Sequence, residues 1–377
     1  ANPVDGVLKN TGPGRFSKHM ISYFGGKQQV KDSHLLPINA FGSNQSHSNS
    51  FKSENPFAVD RGDVYLTHMF AGTWRGNNER KKIILLSRED APTVSHNITI
   101  HTTQEGYRGV ARYDEDTSRT KFMKQLGACT QLVEYNFDAS LKLQTKKIKQ
   151  IQGADQLHKF EDYRAFTYQG GTYLCTAYID TDFNTYMGVL DSDYNFLGKI
   201  NIEKYHRMAF VSNKEVYWEK NWLFFEHETE LYFVYSTTPS LIIYKCYDFD
   251  KLIFKEHINT INNLSSLLPR DQLYFSSNTT TGGSTNPIYI EKHDCYVYLI
   301  HTKIYSERKY NHYAVGFDKD FKIKFLNPVP FINSYVGYSL MFITTMIEDG
   351  DYLIISGGIE DNQNFLWEIP IDRLKIS

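Results

Sequence analysis

From Asn55 onward one pattern recurs: a short apolar stretch, a turn of charged residues or glycine, and a second stretch rich in aromatics. It occurs five times, at residues 55–66, 163–175, 222–235, 287–300 and 340–355, and each instance reads as a β-hairpin. The last four turns sit near positions 170, 229, 293 and 350. That interval of about sixty residues has room for a four-stranded antiparallel blade with generous loops. Five such units predict an all-β chain folded as a five-bladed β-propeller; a β-sandwich with irregular hairpins is the alternative. The first interval is nearly double, which suggests an insertion around Gly106 to Lys124, dense in Arg, Asp, Lys and Thr. Helix is scarce, with a turn or two expected at Ser265 to Gln272 and Ile371 to Ile376. Residues 1–53 are rich in Gly, Ser, Asn and Lys without periodicity, so they read as an extended N-terminal arm, leaving 54–377 for the propeller.

Composition supports a β-rich globular chain. Aromatic residues make up 15% of the 377, and they combine strand propensity with flat packing faces. A net charge of -2 leaves no overall basic field to gather phosphate backbones, so nucleic acid is not an expected partner. No apolar run is long enough to cross a bilayer, so no membrane span is expected. The first residues lack the basic and apolar regions of a secretory signal, and the expected compartment is the cytoplasm, although sequons occur at Asn44, Asn97, Asn263 and Asn278. Cys129, Cys175, Cys246 and Cys295 lie far apart, with no Cys-x-x-Cys pair. They are expected as buried free thiols, and neither a metal nor a cofactor is expected. There is no Gly-x-Ser-x-Gly, His-Glu-x-x-His, P-loop or dinucleotide fingerprint.

In a propeller the first strand of each blade lines the central axis, so polar residues leading into the hairpins should converge. These are Asn55, then Glu161, Asp162 and Arg164, then Lys220 and Asn221, then Ser284, Thr285 and Asn286, and finally Tyr338. The second strands end on His68, Tyr178, Tyr235, His301 and the pair Glu360-Asp361. Two carboxylates, an Arg and a Lys leading into apolar strands suggest a site for a hydroxyl-rich ligand; a solvated funnel with cancelling charges is the alternative. Tyr163, Trp222, Tyr178, Tyr235 and Tyr310 are candidates to stack on sugar faces, although ordinary sheet packing is the better reading for most of them. Strand alternation would point Asp162 and Arg164 to one face and Glu161 to the other, letting Arg164 fix the Asp162 carboxylate. Ser356-Gly357-Gly358-Ile359 would let backbone approach a ligand or a neighbouring strand closely.

Four of these segments carry a resemblance. Phe160-Glu161-Asp162-Tyr163-Arg164 resembles the Glu-Asp-Pro-Arg motif of the β-mannoside phosphorylases, glycoside hydrolase family 130, and their propeller relatives. Glu219-Lys220-Asn221 looks like the family's Asp-Lys-Asn segment. Gly282-Gly283-Ser284-Thr285-Asn286-Pro287 with Tyr298-Leu299-Ile300-His301 is similar to its Gly/Pro-rich strand and Tyr-His-Gly, and Ile355 to Asp361 resembles its closing Tyr-Tyr-Gly-Ala-Ala-Asp. The segments run in the family's order across residues 55–374. The resemblance implies inverting mannoside chemistry on an oligosaccharide or a sugar donor and acceptor. By it, Asp162 is the proton donor; Arg164 and Lys220 hold charge; Asn55, Asn221, Asn286, His301, Tyr338 and Asp361 contact sugar hydroxyls or an anion. Two departures matter. Tyr163 replaces the Pro of the first motif, and Tyr235-Ser236 stands where the phosphorylases carry His-Arg. The expectation is therefore a mannosyltransferase ahead of a phosphorylase, with a hydrolase, using Asp60, Glu161 or Asp361 as base, or a non-catalytic carbohydrate-binding propeller as alternatives.

Overall fold

Strand residues 230–236, Glu-Leu-Tyr-Phe-Val-Tyr-Ser, show how the chain builds its core: Leu231 to Ser236 are all buried, so both faces of the strand are covered. Leu231, Phe233 and Tyr235 face one neighbouring sheet and Tyr232 and Val234 the other. Period-two alternation therefore sorts apolar residues between two seams rather than between core and solvent. The computed structural model describes residues 83–86, 94–114, 130–155, 157–211, 214–264, 281–304, 309–327, 332–333, 341–359 and 363–374.

The first strand, β1 (Ile83–Leu86), belongs to the last blade. Blade 1 is β2 (Val94–Thr103), β3 (Gly106–Asp114), β4 (Gln131–Asp138) and β5 (Leu143–Gln150). Blade 2 is β6 (His158–Tyr168), β7 (Gly171–Ile179), β8 (Thr185–Leu190) and β9 (Phe196–Lys199). A separate hairpin of β10 (Met208–Val211) and β11 (Lys214–Tyr217) follows. Blade 3 is β12 (Leu223–His227), β13 (Glu230–Ser236), β14 (Ser240–Asp248) and β15 (Ile253–Ile261). In blade 4, β16 (Gly282–Gly283) and β17 (Ile288–Ile290) both pair with β18 (Cys295–Ile304). β19 (Lys309–Phe317), β20 (Ile323–Leu326) and β21 (Ile332–Asn333) complete it. Blade 5 is β22 (Met341–Asp349), β23 (Tyr352–Ile359) and β24 (Gln363–Pro370), and β1 pairs antiparallel with β24 as its outermost strand. The chain thus closes the ring by lending a strand from before blade 1 to blade 5.

The expected five-bladed propeller is the fold, and four of the five expected hairpins are the inner hairpins of blades 2 to 5. The hairpin expected at 55–66 and the arm at 1–53 lie outside the described residues, as do Asn55, Asp60, His68, Tyr338, Glu360, Asp361, Cys129 and the helical turn expected at 265–272. One expectation is corrected. Gly106–Asp114, taken as part of an insertion, is the second strand of blade 1, paired along its length with β2 and β4. Its apolar residues alternate with Arg108, Arg112 and Tyr107, so it lacks the continuous aromatic run of the other blades.

Apolar clusters fill four seams: between blades 1 and 2 around Phe160 and Leu132, 2 and 3 around Phe166 and Trp222, 3 and 4 around Phe225 and Tyr298, and 5 and 1 around Ile98 and Ile354. Trp222 stacks flat on Phe233 at 4.7 Å between ring centroids. Cys175, Cys246 and Cys295 are buried free thiols. The outer hairpins repeat a turn that the aromatic pattern does not reveal. Asp138, Asp191 and Asp318 each accept backbone N–H bonds from two and four residues on at 2.9–3.0 Å, while Leu141, Tyr194 and Phe321 turn inward with left-handed φ. Such Asx turns let a non-glycine residue occupy that region. Among the described residues no helix is long and apolar enough to cross a membrane.

Gly357 is the tightest junction of blade 5, because a Cβ there would lie 1.9 Å from the Phe342 carbonyl oxygen of the paired strand. Gly357→Ala should lower unfolding stability by about 1–3 kcal/mol, the usual cost of overpacking. Urea denaturation checks this; an unchanged midpoint would show that β22 and β23 separate freely at this point.

Candidate active site

The axial end of β6 departs from regular strand geometry. Its pairing with β7 slips twice before Arg164, and Lys159 and Asp162 have φ of 48° and 52°, in the left-handed region. The expected alternation therefore fails here. Asp162 is partly exposed, and its Oδ1 accepts a hydrogen bond from Asn97 Nδ2 at 2.8 Å. Asn97 is itself in the left-handed region, at a bulge in β2. Arg164 instead donates through Nη1 to the backbone carbonyl of Asp162 at 3.1 Å. Asn97, not Arg164, orients the carboxylate by hydrogen bonding, while Arg164 acts on it through charge.

Arg164 is 1% exposed and touches four blades. Besides Asp162, it donates through Nε to the Ser284 carbonyl at 2.8 Å, and through Nη2 to Asn221 Oδ1 at 3.0 Å and the Gly283 carbonyl at 3.3 Å. Its guanidinium carbon lies 5.9 Å from the centre of the Phe342 ring in blade 5. Four of five donor hydrogens are thereby committed within the protein, and the residue positions the site more than it binds ligand. Burial pulls its pKa down, with the Asp162 carboxylate opposing that shift.

Glu161 collects cations. Its carboxylate meets Lys220 Nζ at 2.7 Å, Lys159 Nζ at 3.0 Å and an Arg112 amino group at 3.8 Å. Burial alone would push its carboxyl up, but Lys220, Arg112 and Lys159 outweigh that and hold it well below the usual range. Beside this cluster, burial and then Arg112 push His96 down to about 3, so its ring is neutral at ordinary pH. Glu161 is thus an ionised anchor for Lys220, with little freedom to serve as a base.

Lys220 and Asn221 lie on the segment entering β12, with Asn221 in the left-handed region. The preceding Glu219 is fully buried, and one of its oxygens accepts from the backbone N–H of His206 (2.9 Å) and Arg207 (3.0 Å) and from the Tyr235 hydroxyl (2.9 Å). This roots the β10–β11 hairpin at the axis. Arg207 then donates to the carbonyls of Tyr235, at 2.7 Å, and Lys220. Its guanidinium lies 5.0 Å from the centre of the Tyr235 ring. A cation thus stands on Tyr235, where the sequence lacks the phosphorylases' Arg. It lines a crevice with Asn221, Ser236, Thr237, Thr281 and Gly282.

The remaining candidates divide. His301 is buried, with Nδ1 3.0 Å from Ser284 Oγ, and its ring packs edge-on against Tyr310 and Phe342. Asn286, expected to bind substrate, bolts blades together: it accepts from Phe224 N–H at 2.9 Å and donates to the Ala165 carbonyl at 2.7 Å, which uses its amide on backbone. Tyr163, Tyr178, Trp222 and Tyr235 are buried in the seams, so sheet packing accounts for them. Gly358 serves a neighbouring strand: a Cβ there would sit 2.1 Å from Asn97 Oδ1. Asp162, Arg164, Asn221 and, through Ser284, His301 therefore belong to one connected network, with Lys220 joined to it by chain and by Glu161. Asn97, Arg207, Trp218 and Glu219 are members that sequence reasoning missed. They come from a bulge and from the hairpin between blades, neither of which repeats; the only sequence signal was Glu219, quoted within the Glu219-Lys220-Asn221 segment without a role of its own. Among the described residues no group of His, Cys, Asp or Glu is arranged to hold a metal.

No protein-family model matches the chain, and no curated protein matches its sequence. Solved structures do match its fold. A glycosyl hydrolase from Bacteroides ovatus superposes with a TM-score of 0.51 at 15% identity, over 74% of this chain and 85% of that one. An inferred glycoside hydrolase from Parabacteroides distasonis gives 0.52 at 12% identity, over 73% and 86%. A structure from work on glycoside hydrolases in the GH130 family of mannoside phosphorylases, which target β-1,2-mannosidic linkages in Candida mannan, gives 0.50 at 13% identity, over 74% and 85%. The chain shares with them the five-bladed propeller fold.

Proposed function

We propose that this chain is a carbohydrate-active enzyme that transfers a mannosyl unit with inversion, using Asp162 as its proton-transfer residue and an activated sugar with an anionic leaving group as donor. The observation that carries this reading is the placing of Asp162. It is a partly exposed carboxylate held by one neutral side-chain donor, whereas neighbouring Glu161 and Glu219 are committed to cations and backbone. The acceptor hydroxyl oxygen attacks the anomeric carbon as the bond to the leaving oxygen breaks on the opposite face. Its proton passes to Asp162, and in the reverse direction the same carboxyl returns it. Lys220 and Arg207 supply positive charge for the departing anion. The fold shared with glycoside hydrolases and the four sequence segments support the sugar class.

Asp162→Asn keeps the Asn97 hydrogen bond but removes the carboxylate that takes up and returns the proton. Turnover should fall by about 10²–10⁴-fold while the melting temperature stays nearly unchanged. Product analysis by mass spectrometry and a thermal melt check this, and near-normal turnover would remove Asp162 from the mechanism.

One observation favours a phosphorylase as the second reading: Arg207 supplies a cation where Tyr235-Ser236 lacks one. Incubation with GDP-mannose and mannose should yield a disaccharide, and incubation of mannobiose with phosphate little mannose 1-phosphate. Phosphorolysis as the dominant reaction, abolished by Arg207→Met, would establish the second reading. Hydrolysis alone, unaffected by Arg207→Met, would overturn both.

A further inference from the structure

Trp218 differs from the aromatic residues around it. Tyr235 and Trp222 are buried and stacked within the seam between blades 2 and 3. Trp218 is partly exposed, and among the described residues its indole packs on no other ring. The group above it is the Lys220 ammonium, 4.8 Å from the ring centre, the same ammonium that grips Glu161 beside Asp162. One face of the indole therefore carries the Lys220 ammonium and the other meets no aromatic ring among the described residues, within two side chains of the proposed proton-transfer residue.

Its mounting is rigid. The Trp218 backbone N–H donates to the Arg207 carbonyl at 2.9 Å, closing the base of the β10–β11 hairpin. Trp218 also forms a parallel bridge with Thr185 of blade 2, and the next residue is Glu219, whose buried carboxylate holds the opposite strand of the base. Fixing an aromatic plate before ligand arrives removes ordering cost from binding. A partly exposed indole beside a cation offers a flat π face with a polar group at its rim, which matches the apolar C–H face and hydroxyl edge of a pyranose ring.

We infer that Trp218, held in place at the base of the β10–β11 hairpin, is the stacking platform for the acceptor sugar. The inference rests on the glycosyl-transfer reading and adds to it which residue selects the acceptor.

The test is calorimetric titration of mannobiose and mannotriose into the unmodified chain and the Trp218→Ala, Trp218→Phe and Lys214→Ala variants, with acceptor kinetics alongside. Losing the plate should weaken binding about 10-fold or more, and Phe should recover most of that. Lys214, exposed on the hairpin strand away from its base, should tolerate alanine without change. In turnover, Trp218→Ala should raise the acceptor KM while kcat at saturation holds. Equal affinity in Trp218→Ala and the unmodified chain, or a kcat loss with unchanged acceptor KM, overturns the platform and leaves the glycosyl-transfer reading standing. Failure of the unmodified chain to bind either mannoside overturns both.

Discussion

The centre of this propeller hangs on one guanidinium. Arg164 is removed from solvent without a directly hydrogen-bonded carboxylate, and its charge is stabilised by three main-chain carbonyls and one amide oxygen drawn from blades 2, 3 and 4, with a blade 5 ring alongside. Desolvating a cation is expensive unless its donors are satisfied, so the carbonyls of Asp162, Gly283 and Ser284 must point inward together. That requirement accounts for the irregular backbone nearby: the left-handed Asp162 and Asn221, and the short glycine strand β16, whose Gly283 leaves no room for a side chain against the Asn221 carbonyl. The strain is localised where four blades meet, and it delivers the Asp162 carboxylate to the mouth as a by-product.

Around that hub the electrostatics are asymmetric. Lys220, Lys159 and Arg112 converge on the single carboxylate of Glu161, and Arg207 adds a further cation on Tyr235. A lone buried Glu161 would need one partner; the surplus leaves the mouth positive. Glu161 is spent on cations and Glu219 on backbone N–H groups and the Tyr235 hydroxyl, which leaves Asp162 as the partly exposed carboxylate of the three. The division follows from burial, since the anions with most partners are also those least accessible.

The blade count was readable because β13, β18 and β23 are buried on both faces and so appear as unbroken apolar runs. Blade 1 escaped because Arg108, Arg112, His96 and His101 interrupt its inner strands, and the repeating Asp turns, a better period marker, have no apolar signature. At the site, Asp162, Arg164, Lys220 and Asn221 were legible because they sit at the entries to blades 2 and 3, a place the repeat defines. The misreadings share a cause: a bulge resets which face a side chain takes, and sequence alternation carries no trace of it. Hence Arg164 reached a carbonyl instead of a carboxylate, and Asn286, polar and well placed, went to backbone.

The closure of the ring has a consequence for how the chain comes to its shape. β1 pairs with β24 across about 280 residues of intervening sequence, joining Ile83 to Trp367. Contacts so distant in sequence are entropically the last to be worth forming. On a ribosome, blades 1 to 4 can assemble as they emerge, but β1 cannot pair with β24 until residues 363–370 have been made. Throughout that time the inner faces of blades 1 and 4 lack the cover of blade 5, and the axial network has no floor. The nascent protein is thus an open arc with two apolar ends, and the Phe342 ring comes to the Arg164 hub only in the late step that seals the circle.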